Sequence, residues 1–314
     1  MSNPESPETG WAPGRRRKDR IRYAIALAIT AAAFVVLFRT APKTWEALSH
    51  PHWPTLAGAV ALTALFPFCM ALRWAAVLWA VDCPAPYRET LWITMGAWPL
   101  GALTPSKTGD LAKAFCVRDR AALPVGLGSV VMERALDVIT LFLFSLCGAI
   151  ALRWWSVAGL AAAGLCAAAA GWTAVAHGWR LPLGPKWSER LERFGQTSRA
   201  LVRRPRYLAL SAAWAALNWL FSVWQTQLLY HAFGARPPFF YVCAALPVAI
   251  FIGLLPATVA GMGTRDGALI ALFARIGIPA PVSLSVGIWY SLAGYWLPSL
   301  AGIPFMLRLV KKMP

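Results

Sequence analysis

Acidic residues are scarce in this sequence: 13 aspartates and glutamates stand against 30 lysines and arginines in 314 residues. Charge of either sign is also thin, at 14% against about 25% in soluble domains, while 58% of residues are hydrophobic. A soluble enzyme with a single core is excluded, because no stretch between the apolar runs is long enough for a catalytic domain. Cysteine is sparse as well. Cys69, Cys83, Cys116, Cys147, Cys166 and Cys243 lack CxxC spacing and sit mostly in apolar context, so they read as small buried hydrophobes rather than a disulfide framework or a zinc site. His50, His52, His177 and His231 fall at the ends of apolar segments, and neither HExxH nor GxSxG occurs. No catalytic residue, metal or cofactor is expected, and the chain reads as a non-enzyme.

What the sequence has in abundance is apolar length. Runs long enough to cross roughly 30 Å of hydrocarbon recur throughout, at 22–38, 55–80, 124–152, 155–176, 208–231 and 281–307. The expected class is an all-α polytopic membrane protein with about six full crossings. Its net charge of +17 lies in short segments between these runs, where the positive-inside rule accounts for it and nucleic acid need not be invoked. The run beginning at 22 lacks a small-residue cleavage site and reads as a retained first span. Segment 177–207 carries Arg180, Lys186, Arg190, Arg193, Arg199, Arg203, Arg204 and Arg206, whereas 39–54 and 232–237 hold only Arg39, Lys43 and Arg236. Both termini and 177–207 are therefore expected on the cytoplasmic face of a bacterial inner membrane, with 177–207 either an amphipathic helix on anionic headgroups or a solvated linker.

Two apolar stretches do not fit as crossings. Residues 91–103 are short and run into Pro105-Ser-Lys-Thr-Gly-Asp110, and residues 238–256 run into Ala260-Gly-Met-Gly-Thr-Arg-Asp266. Full crossings there would export Lys107, Lys113, Arg118 and Arg120. The reading is a re-entrant hairpin at 91–120 from the cytoplasm and another at 238–278 from outside. The expected organisation is a disordered basic arm (1–21), a first membrane repeat with the following span (22–176), a basic cytoplasmic linker (177–207) and a second repeat (208–314) of inverted topology. Pro124-Val125 after the first hairpin is echoed by Pro281-Val282 after the second.

Ionisable groups inside a bilayer cost at least about 2.5–3.5 kcal/mol each, so they mark function by default. Asp137 lies about 20 Å along its helix from Pro124, near mid-membrane, with Glu133 on the same face and Arg134 within i+3 reach. An internal Arg134–Asp137 pair gluing helices is the structural alternative, and Lys107 or Lys113 are the suppliers of a partner for Glu133. At the first break, Ser106, Lys107, Thr108 and Gly109 offer hydroxyls, a cation and free N–H groups suited to a phosphate, although GxxxxGK[ST] is absent. At the second, Gly261, Gly263, Thr264 and Arg265 precede a helix with Asp266 in its first turn. Asp110 and Asp266 read equally as helix caps, and Pro105, Pro256 and Gly261 as turn-formers. Trp53, Trp154, Trp155, Trp179 and Trp289 read as interface anchors, and Trp98 as a candidate lining of a lipid path.

Leu103–Phe115, Val131-Met-Glu-Arg-Ala-Leu-Asp137 and Leu255–Asp266 together resemble the lysylphosphatidylglycerol synthase transmembrane (flippase-like) family over nearly the whole chain. The resemblance implies functional weight for Pro105, Gly109, Asp110, Lys113, Glu133, Arg134, Asp137, Pro256, Gly263, Arg265 and Asp266. This chain has Asp110 and Asp266 where the family usually has Glu, Lys113 where it often has Arg, and Thr258-Val-Ala-Gly261 in place of a Pro-Gly-Gly turn. Lysyl-transferring members carry a further soluble domain, and this sequence ends at Pro314, so the resemblance implies the flipping half alone.

The expected function is movement of an anionic or aminoacylated phospholipid, or a polyprenyl-linked lipid, between leaflets. Ser106, Lys107, Thr108, Gly109, Lys113, Arg134, Gly263, Thr264 and Arg265 would hold the headgroup, and Asp110, Glu133, Asp137 and Asp266 would balance charge. The alternatives are a non-transporting scaffold of an envelope-lipid or glycan pathway and a membrane-embedded lipid-phosphate enzyme. Expected partners are membrane lipids, with envelope-lipid or glycan biosynthesis enzymes and a second copy of the chain as further candidates.

Overall fold

A computed structural model describes residues 13–178, 185–255 and 258–311, with the side chains of 13–23, 105–107, 185–191 and 193 outside that description. Among the described residues every regular element is helical. Helix α1 (Pro13–Thr40) is followed by a short α2 (Thr44–Ser49). Residues 13–21, expected within a disordered arm, form the first turns of α1; residues 1–12 lie outside the described residues.

Helices α3 (Trp53–Ala61) and α4 (Phe66–Ala80) form one run broken by a 3-10 turn at Leu62–Leu65. The break precedes Pro67, whose missing N–H cannot join the ladder. Gln225 supports it from a distant helix, its Nε2 donating to the Ala59 carbonyl at 2.9 Å and to Thr63 Oγ1 at 2.8 Å. Helix α5 (Tyr87–Leu103) stops where Thr104 turns extended (φ −103°, ψ 143°), the conformation a following proline imposes. A 3-10 stretch (Pro105–Ala112) and the one-turn α6 (Lys113–Cys116) lead back.

Next come α7 (Leu123–Ala151), α8 (Trp155–Ala176), α9 (Pro185–Arg203) and α10 (Pro205–Ala232). Helix α11 (Phe239–Gly253) reaches a second break, with a 3-10 turn at Val259–Gly261, before α12 (Thr264–Ala274). The last run is α13 (Ala280–Ser291), a π segment (Leu292–Trp296) and α14 (Leu297–Val310). Proline in the first turn of α7, α10 and α13 starts each helix without wasting a donor.

Four helical runs, Trp53–Ala80, Leu123–Ala151, Trp155–Ala176 and Pro205–Ala232, have the length and apolarity to cross a bilayer, and Ala24–Thr40 and Phe239–Gly253 are shorter apolar helices. Their limits fall within a few residues of the expected spans, whereas the span expected at 281–307 is interrupted by the π segment. The basic stretch 177–207 contains α9, which packs against α7 and α8 with Leu201 fully buried.

Packing across the chain is reciprocal. Helix α5 lies along α14, α11 lies along α7, and α4 lies along α10. Glycines permit the first two contacts: a Cβ on Gly96 would meet the Phe305 backbone at 2.9 Å, and one on Gly148 would meet the Phe240 carbonyl at 2.5 Å. Small residues at such crossings let backbones approach without a bulky layer between them.

Candidate functional site

The centre of the molecule holds a network of buried charges. Arg73 on α4, 1% exposed, donates from Nε and Nη2 to Glu133 Oε1 on α7 at 3.3 and 3.2 Å, and from Nη1 to Asp137 Oδ1. Lys113 Nζ reaches Glu133 Oε2 at 3.1 Å and lies 5.4 Å from the centre of the Trp74 ring. Trp74 is fixed in turn by donating to Ser129 Oγ at 3.0 Å. Arg134 pairs with Asp137 Oδ2 at 3.2 Å and with Asp110 Oδ2 at 3.6 Å, and Trp219 Nε1 donates to Asp137 Oδ1 at 2.9 Å. Charges this deep are tolerated because each carboxylate meets a cation.

The first tip is closed by Thr104, whose hydroxyl accepts from the Gly109 N–H at 2.6 Å and donates to the Leu100 carbonyl at 2.7 Å. Gly109 lies directly on the Leu100 backbone, leaving no room for a side chain, so the returning arm is pressed against α5. The second tip is built from left-handed residues: Ala260 (φ +53°), Gly261 (φ +72°) and Gly263 (φ +90°). Glycine carries this conformation freely, while Ala260 carries it at a cost. The Val259 N–H donates to Thr30 Oγ1 on α1 at 2.9 Å, and the Gly263 N–H donates to Asp266 Oδ2 at 2.9 Å. Asp266 thus caps α12 while pairing with Arg265 Nη2 at 3.0 Å. The Arg265 guanidinium also donates to Ser291 Oγ and sits 4.8 Å from the Tyr290 ring and 5.5 Å from the Tyr295 ring.

A cavity of about 340 Å³ opens between the tips. Gly101 and Thr104 line it from the first tip, Gly253 to Leu255, Thr258, Ala260 and Gly261 from the second, and Arg134, Asp137, Trp219, Arg265 and Tyr295 from the surrounding helices. Arg134 Nε and Nη2 and Arg265 Nε and Nη1 are buried atoms with no hydrogen-bond partner among the described residues. A smaller recess of about 60 Å³ lined by Arg73, Trp98 and Asn218 shares Arg134, Asp137, Trp219 and Tyr295 with it. The arrangement sets two guanidinium cations in the wall of the cavity, which favours an occupant carrying negative charge.

Of the headgroup residues expected from sequence, Arg134 and Arg265 line the cavity. Lys113 is turned to Glu133, Gly109 packs on Leu100, Gly263 packs on Ala33, and the Thr264 hydroxyl pairs with Thr258 at 3.1 Å. Thr108 is exposed, the side chains of Pro105, Ser106 and Lys107 are not described, and Pro256 lies outside the described residues. Among the acids, Asp137 lines the cavity while Asp110, Glu133 and Asp266 stand behind it as partners of the cations. Sequence reasoning passed over Arg73, although a lone arginine in an apolar run is itself the signal. It also missed Trp219, Tyr290, Tyr295 and Ser291, which nothing local in the sequence marks. Among the described residues no group of three potential metal ligands occurs.

These features define a multi-pass helical membrane protein with a buried ionic site between two helix breaks. Residues 23–302 match the lysylphosphatidylglycerol synthase TM region, and the chain belongs to that family. It is similar to a UPF0104 membrane protein of Methanothermobacter thermautotrophicus, 23% identical over 312 residues and covering 89% of this chain and 92% of the relative. A second UPF0104 membrane protein of that organism is 22% identical, covering 92% of each chain. One from Pyrococcus horikoshii is 23% identical over 118 residues, covering 38% of this chain and 35% of the relative.

Proposed function

We propose that the chain moves a phosphate-bearing lipid between leaflets, with the cavity between the two tips as the headgroup site. The observation that carries this reading is the pair Arg134 and Arg265, two guanidiniums that line one cavity and each keep two buried nitrogens without a hydrogen-bond partner among the described residues. A phosphate oxygen fits such donors, and the outward apolar surface of the helices, including Leu160, Leu300 and Leu307, provides for acyl chains in the surrounding bilayer.

The two breaks are read as tips of re-entrant hairpins in an inverted repeat. The reciprocal packing of α5 on α14 and α11 on α7 favours this reading, because exchanging equivalent elements of the halves turns one contact into the other. Rocking of the halves about the α4–α10 contact would expose the cavity to each leaflet in turn. On the charge bias, the termini and α9 face the cytoplasm. The ionic pairs behind the cavity suit a scaffold equally well, but two guanidiniums lining one cavity favour a ligand.

Leaflet transfer of headgroup-labelled lipids in proteoliposomes tests this, across anionic, aminoacylated and polyprenyl-phosphate lipids. Transfer by the wild type that is abolished in Arg134→Gln and Arg265→Ala proteins is expected. Transfer no faster than in empty liposomes for every lipid rejects it.

A further inference from the structure

We infer that the cavity selects a phosphate ester without an ammonium group, so that an acidic headgroup is held and its aminoacylated or choline counterpart is refused. This rests on the transporter reading for its physiological meaning and on the cavity alone for its chemistry.

An ammonium needs a carboxylate or an open aromatic face. Among the described residues lining the cavity the one carboxylate is Asp137, and both of its oxygens are committed: Oδ1 accepts from Arg73 and from Trp219 at 2.9 Å, and Oδ2 faces Arg134 at 3.2 Å. The Tyr295 ring already carries the Arg265 guanidinium at 5.5 Å, which leaves the single Trp219 indole as aromatic surface in a wall that holds two guanidinium charges. A headgroup ammonium would therefore meet the guanidiniums of Arg134 and Arg265 with no counter-charge left for it. A phosphate meets the reverse situation. Arg265 is 1% exposed, and two of its nitrogens and two of Arg134's have no hydrogen-bond partner among the described residues. Two guanidiniums with incomplete sets of acceptors favour an anion over a cation beside them. Asp266 fixes one edge of the Arg265 guanidinium at 3.0 Å and does not line the cavity.

Lipid and soluble phosphate esters share this chemistry, and one titration separates them. The purified full chain in detergent is titrated with phosphatidylglycerol, its lysyl ester and phosphatidylcholine, with bound lipid counted by native mass spectrometry, and then with millimolar inorganic phosphate as competitor. Phosphatidylglycerol should bind about tenfold or more tightly than either ammonium-bearing lipid, and the preference should shrink in Arg265→Gln and Arg134→Gln proteins. Resistance to inorganic phosphate assigns the site to a lipid, and ready displacement assigns the same chemistry to a soluble anion. Binding of the lysyl ester or phosphatidylcholine as tightly as phosphatidylglycerol in the wild type overturns the inference, whatever the variants do. Phosphatidylglycerol binding without leaflet transfer rejects the transporter reading and leaves this one standing. Transfer of the lysyl ester as fast as phosphatidylglycerol does the opposite.

Discussion

Arg73 grips Glu133 through two nitrogens, Nε at 3.3 Å and Nη2 at 3.2 Å, and so ties α4 to α7 across the centre of the molecule. Lys113 holds the other oxygen of the same carboxylate at 3.1 Å. This inner triad does not line the cavity of about 340 Å³, while Arg134, Asp137 and Arg265 do. The ionic cluster thus divides into a framework and a face, and the two parts respond differently to substitution.

Glu133→Gln should destabilise the protein more than Arg73→Gln. The first leaves two buried cations facing a neutral amide; the second leaves Glu133 with Lys113 and Asp137 with Arg134. Removing one partner of a buried pair costs about 3–5 kcal/mol, and Glu133→Gln should reach that range. Denaturation in mild detergent measures it. Equal loss in the two variants would contradict the triad.

Gly109→Ala should cost about 1–3 kcal/mol, because its methyl group would strike the Leu100 backbone at the first tip. Gly159→Ala on α8, where an added Cβ meets nothing within 4 Å, should be neutral or stabilising by up to about 1 kcal/mol. Thermal unfolding of the two proteins side by side is the check. A neutral Gly109→Ala would show that the arms of the first break are not in backbone contact.

The proposed re-entrant hairpins make a topological prediction. With the native cysteines replaced, Arg88→Cys and Asp119→Cys should both react with an impermeant thiol reagent from the cytoplasmic side. Arg236→Cys and Ile276→Cys should react from the opposite side. Asp119 is well exposed, its side chain at 79%, and Ile276 is 37% exposed, so neither is shielded by the protein. Labelling of positions 88 and 119 from opposite sides would make 87–116 a full crossing.

Helix limits were legible because apolar length and proline placement are local properties: Pro124, Pro205 and Pro281 open helices where the runs begin. The stop at Thr104 follows from Pro105. Glu133, Arg134 and Asp137 stood out as charges at helical spacing in an apolar run. Arg73 carried the same kind of signal but was absorbed into the expected span 55–80. Trp219 and Tyr295 reach the site through packing between helices far apart in sequence, which no local pattern encodes. The left-handed Ala260 was also unreadable, since alanine ordinarily signals helix. For Lys113 the sequence supports two roles, headgroup ligand and partner of Glu133, and the 3.1 Å pair with Glu133 answers to the second.

The most direct measurement is transfer of labelled phosphatidylglycerol by Arg134→Gln protein reconstituted in liposomes. Arg134 lines the cavity; without it Asp137 still holds Arg73 and Trp219 while Asp110 loses its cation at 3.6 Å, so the unfolding temperature is read beside transfer to separate loss of fold from loss of transport. Transfer by the wild type and transfer near the empty-liposome rate by the variant are the predicted results. A folded Arg134→Gln protein that transfers phosphatidylglycerol at the wild-type rate would contradict the claim that the headgroup passes between the two tips.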